Sequence, residues 1–118
     1  MKIQLSTLSR DPLFAKAVRR IRPNIQSVLD HIEGTELTNP TWTTLLVGIT
    51  DDLAPGTINE LPHEDGSLQL TVGVSEIDDW SPANDRNLHA MIMDIIKNTL
   101  DRCELTPDDR SRLENCLK

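Results

Sequence analysis

Along residues 68–100 the spacing of apolar side chains changes from one period to another, and this change limits the folds open to the chain. Leu68, Leu70, Val72 and Val74 alternate with Gln69, Thr71, Gly73 and Ser75, the period of two of a half-buried strand. Leu88, Met91, Ile92, Ile95, Ile96 and Leu100 then recur at i, i+3, i+4, i+7, i+8 and i+12, which lines one face of a helix. A strand with one apolar face and a helix with one apolar stripe bury both by packing on each other. The 118 residues fit a single domain, 1–118. With Phe14, Trp42 and Trp80 as the only aromatics, its core is expected to be aliphatic.

Other elements are marked by their starts. Asp11-Pro12 reads as an N-cap followed by proline at the first helical position. Phe14, Val18, Ile21, Ile25, Val28 and Ile32 then form one stripe. Pro23 falls inside it and pushes Arg22 away from helical dihedrals, so one kinked helix or two short helices sharing a face are both open. Gly34 is the expected C-cap. Residues 42–49 are apolar and β-rich and read as a buried strand. Asp51-Asp52 and Pro55-Gly56 mark a turn. Residues 57–61 read as a short strand, at an edge because Pro62 follows, and Asp65-Gly66 signals a tight turn. Ser81-Pro82 and Thr106-Pro107 repeat the helix-start signal, the second followed by Asp108 and Asp109 where the helix dipole favours acids. The expected fold is α+β: an N-terminal kinked helix or helix pair, a three-stranded antiparallel meander, a long C-terminal helix and a short terminal helix.

Charge is laid out in blocks. Residues 23–85 contain no lysine or arginine and twelve acids, a formal −12, whereas residues 1–22 carry six basic residues against Asp11 alone. The rest balances, giving −7 overall. A block of one sign disfavours the compact state by self-repulsion, so a positively charged partner is one reason for it to exist. The acidic balance argues against nucleic acid as a direct ligand and against an anionic membrane surface. No apolar run approaches the ~20 residues that span a bilayer, and the N-terminus has no signal-peptide pattern. Cys103 and Cys116 read as reduced thiols, and the chain reads as cytoplasmic.

The densest polar cluster is Glu76-Ile77-Asp78-Asp79-Trp80, between the alternating strand and the long helix. It is either a partner-facing acidic knuckle with Trp80 as anchor, or a solvated loop whose acids favour the next helix start while Trp80 packs on the core. The acids lack the spacing of a calcium loop, and Cys103 and Cys116 lack that of a zinc site, so no metal is assigned. His31, His63 and His89 are isolated, and no nucleophile and base sit at a recognised spacing. No catalytic residue and no cofactor are predicted. Lys16, Arg19, Arg20 and Arg22 form a basic end that reads as pairing internally with the acidic block.

With Pro40-Thr41-Trp42 and the 76–80 knuckle, this whole-chain character resembles the immunity proteins of bacterial polymorphic toxins, including those of contact-dependent growth inhibition systems. The resemblance implies a short cytoplasmic, non-enzymatic protein that binds and blocks a cognate toxin domain, often a basic nuclease. The expected partner surface is Asp51, Asp52, Glu76, Asp78 and Asp79, with Trp80 and Trp42 as apolar anchors. Two further readings are carried: a small adaptor or secretion chaperone that homodimerises through the 88–100 helix, and an enzyme using acidic-block carboxylates gathered in a pocket of ~300–1,000 Å³.

Overall fold

The computed structural model describes residues 1–8, 11–38, 40–74 and 80–117. The chain opens with a strand, β1 (Lys2–Thr7), whose Ile3 and Leu5 are buried while Lys2, Gln4 and Ser6 are exposed. Helix α1 (Pro12–Glu33) follows. The Asp11 carboxylate accepts the Leu13 N–H at 2.9 Å, and Gly34 closes the helix by donating to the Asp30 carbonyl. Pro23 lies inside one continuous helix. Three strands come next: β2 (Thr44–Thr50), β3 (Ile58–Pro62) and β4 (Ser67–Gly73). A single 3-10 turn, Pro82–Asn84, leads into α2 (Asp85–Asp101), and α3 (Pro107–Asn115) begins where Thr106 Oγ1 accepts the Asp109 N–H.

The expected antiparallel meander is overturned. The sheet has four strands in the order β1-β2-β4-β3; β1, β2 and β4 are parallel and only β3 runs against its neighbour β4. Two physical reasons account for this. A meander would place β3 in the middle, but β3 is mostly exposed, carries Glu60 and ends in Pro62, which suits only an edge. The two apolar strands β2 and β4 therefore pair directly. The N-terminus is also a strand before it is a helix: Ile3 and Leu5 alternate with polar residues, and β1 joins β2 through α1 as a parallel crossover.

Both long helices cover one face of the sheet, since α1 packs on β1 and on α2. Register puts Ile3, Leu45 and Leu68 in one row beneath them and Leu5, Val47 and Leu70 in the next. Phe14, Val18, Ile25 and Ile32 of α1 and Leu88, Ile92, Ile96 and Leu100 of α2 close over these rows and are buried. Most of the apolar stripe of α2 is thus buried inside the chain, with Met91 half-buried, which leaves little of it for the homodimer expected through it. The opposite sheet face, with Gln4, Ser6, Leu46, Gln69 and Thr71, carries no helix among the described residues. Leu8 folds over Gly48 there; a Cβ at 48 would lie 2.6 Å from Leu8 Cδ1. Cys103 and Cys116 are free thiols, and burial pushes the Cys103 thiol up to about 11.

Candidate functional site

The parallel strands β2 and β4 run out at the same end of the molecule, which brings Asp51-Asp52 towards the close of β4. Thr50 Oγ1 accepts the Asp52 N–H at 3.0 Å and fixes the turn. The 51–57 loop then lies across the end of β4: Gly73 donates to the Thr57 carbonyl at 2.8 Å and accepts from the Gly56 N–H at 3.2 Å. A Cβ at position 73 would run into the Ala54 carbonyl oxygen, so glycine is what lets the loop approach. Gly56, at φ +83°, supplies the left-handed step. The carboxylates of Asp51 and Asp52 are half-buried and exposed, respectively, and neither has a cationic partner among the described residues.

Residues 80–85 are pinned onto α1. The ring of Trp80 meets Phe14 edge-on with centroids 4.8 Å apart, and its carbonyl accepts from Arg20 Nη2 at 2.8 Å. The same guanidinium forks onto Asp85, with Nη2 2.6 Å from Oδ1 and Nε 2.9 Å from Oδ2. Hydrogen bonding to Arg20 holds the Asp85 carboxyl below its usual range, against the desolvation that works the other way, and the opposite charge adds to it. The Arg20 guanidinium is correspondingly raised. Trp80 is therefore an internal packing residue with a half-buried ring. Trp42 lies at the other end of the sheet: Thr43 donates to the Gly66 carbonyl at 2.8 Å, and Thr41 Oγ1 to the Glu104 carbonyl at 3.3 Å. The length of β2 separates it from Asp51. Glu76, Asp78 and Asp79 lie outside the described residues.

Between α2 and the β3–β4 hairpin, beside the same strand end, is a groove of about 430 Å³. Val72, Val74 and Ile95 floor it with the half-buried Ile58 and Met91, while Asn87, Asp94 and Asn98 stand exposed along its lip. These lip residues escaped the sequence reading. Their spacing of seven and four along α2 was visible beside the apolar stripe, but what they face depends on where β4 ends. Two other concavities occur: about 560 Å³ on the outer face of α1 near Asp30 and His31, and about 340 Å³ between α1 and α2 with Arg20, Asp85, Arg86 and His89. Each of the three holds one acid, and that of the last is occupied by Arg20. Paired-carboxylate chemistry needs two such groups converging on one reacting atom, and none of these sites supplies them. Among the described residues no three His, Cys, Asp or Glu side chains are grouped to hold a metal. His63 Nε2 lies 3.1 Å from Gln69 Oε1.

The charge blocks of the sequence fall on different elements of the fold. Elements β1 and α1 carry Lys2, Lys16, Arg19, Arg20 and Arg22 against Asp30 and Glu33. From β2 through β4 stand Asp51, Asp52, Glu60, Glu64 and Asp65 with no lysine or arginine. The internal pairing expected of the basic end is realised once among the described residues, by Arg20 and Asp85; Arg22 instead donates to the Leu5 carbonyl at 3.2 Å on the free edge of β1. Glu60 is paired with Arg102 at 2.7 Å. Asp65 accepts the Ser67 hydroxyl at 2.6 Å and its N–H at 3.0 Å, which lowers its carboxyl and keeps it ionised in the hairpin turn. Asp109, also unforeseen, is fully buried and ties the 35–41 connection to α3 by accepting the Thr38 N–H and hydroxyl. No helix among the described residues is long and apolar enough to cross a membrane. Compared with protein-family models, curated proteins and solved structures, the chain finds no match.

Proposed function

We propose that this chain is a cytoplasmic inhibitory binding protein of the immunity type, which neutralises a basic toxin domain, of nuclease character, through the acidic side built by β2–β4 and the 51–57 loop. One observation carries the reading. Of the five acids from β2 through β4, only Glu60 is paired with a cation within the described chain, which leaves Asp51 and Asp52 at one end of the sheet, and Glu64 and Asp65 at the other, as uncompensated charge whose field reaches a partner. Such a field steers a basic partner and excludes acidic competitors.

The test begins with a pull-down from the native host at low and high salt. The association rate of the recovered partner is then measured with Asp51→Lys plus Asp52→Lys. The reversal is expected to slow association about tenfold at low salt, with the two rates converging as salt screens the field. Equal rates at low salt would remove these acids from the interface.

A homodimeric adaptor or secretion chaperone remains a second reading on one observation. Among the described residues the sheet face without a helix exposes Leu8 by 51% and Leu61 by 53% and carries a single formal charge, Lys2. Sedimentation at micromolar concentration separates the readings, because the inhibitor reading requires no self-association.

A further inference from the structure

From the groove between α2 and the β3–β4 hairpin we infer a receptor for one arginine side chain of the basic partner, with its aliphatic stem on the floor and its guanidinium at Asp94. The inference rests on the reading that the partner is basic, and it names the part of that partner the groove takes. The chemistry is set by two layers. Ile58, Val72, Met91 and Ile95 give an apolar floor that matches the methylenes of a long cationic side chain. Above it Asp94 stands exposed and without an ion pair among the described residues, and Asn87 and Asn98 flank it on the same helix face, one turn or two away. A guanidinium presents five N–H donors in a fixed planar fork, which suits a carboxylate together with two amide oxygens better than a compact ammonium does. The volume, about 430 Å³, also admits an apolar neighbour of that arginine on the partner. The floor is pre-formed, because Gly73 fixes the 51–57 loop against β4 by paired backbone hydrogen bonds, so little ordering is lost on binding.

The experiment uses the full chain, isotopically labelled, titrated with N-acetyl-arginyl-leucinamide and with the same dipeptide carrying neutral citrulline. Amide shifts are expected to centre on Ile58, Asp94 and Asn98 with the arginine probe. The citrulline probe, and the arginine probe on Asp94→Asn, should bind about fivefold more weakly or worse. Ala90→Trp, at an exposed position on the groove wall, should abolish the titration without touching the core. Shifts centred on another surface, or an Asp94→Asn protein that binds like the parent, overturn the inference. The failures are separable. Arginine binding in the groove without any recovered basic partner upholds the receptor and sinks the inhibitor reading. A salt-sensitive basic partner indifferent to both Asp94→Asn and Ala90→Trp does the reverse.

Discussion

Asp85 gives up its proton at lower pH in the folded chain than in the unfolded one, because Arg20 donates to both of its oxygens. Linkage gives the sign: the pair's contribution is complete above the unfolded carboxyl's range, about pH 4, and is lost as the pH falls through the lower folded value. Replacing Asp85 with Asn should therefore lower the urea midpoint at pH 7, and the gap from the parent should shrink as the pH is taken below about 4. A gap constant down to about pH 2 would mean that the carboxylate's charge contributes nothing. The same residue shows why a charge pattern is not a map of a surface. Asp85 belongs to the acidic block by sequence, yet Arg20 neutralises it sixty-five positions away. Trp80, beside it, reads in the sequence either as an anchor for a partner or as a residue packing on the core, and its ring meets Phe14.

At the scale of elements, the starts of α1 and α3 were legible, whereas β1 and the pairings were not, and Ser81-Pro82 opens a 3-10 turn ahead of α2. Asp11-Pro12 and Thr106-Pro107 cap the helices they announce, since capping is local chemistry between a side chain and the next N–H groups. The apolar stripe of α1 runs in phase through Pro23, and the helix follows the stripe, because its buried face on either side outweighs one missing hydrogen bond. Pro23 has no N–H for the Arg19 carbonyl, and its ring sits exposed. Pro23→Ala should therefore stabilise the chain by about 1–3 kcal/mol in urea unfolding, less whatever rigidity proline removes from the unfolded chain. A loss of stability instead would show that α1 needs a bend there to reach both β1 and α2. The meander failed because strand neighbours are chosen across the sheet: Pro62 correctly marked an edge, but nothing in the turn residues says that β4 returns between β2 and β3. The groove was hidden for the same reason. Asn87, Asp94 and Asn98 form a row on α2, and only the position of β4 turns that row into the lip of a cavity.

Across the whole molecule, the basic residues of β1 and α1 and the acids of β2 to β4 stand on different elements, and only Arg20–Asp85 joins the basic end to the acidic block among the described residues. With a net charge of −7, repulsion among the acids should exceed what the few exposed ion pairs return. Raising salt from about 10 to about 200 mM should then raise the melting temperature, since screening relieves more repulsion than it costs in attraction; a falling melting temperature would place the weight on the ion pairs. The parallel pairing of β1 with β2 has a consequence for how such a molecule assembles. Lys2 faces Thr44, whereas the hairpin closes from Pro62 to Leu68. By flexible-loop scaling the first closure costs about 2 kcal/mol more than the second. β1 has no partner until residues 44–50 have been made, while the hairpin can close as soon as it is made. Synthesis therefore alternates between edge and inner strands, and β1 must wait for its place in the sheet.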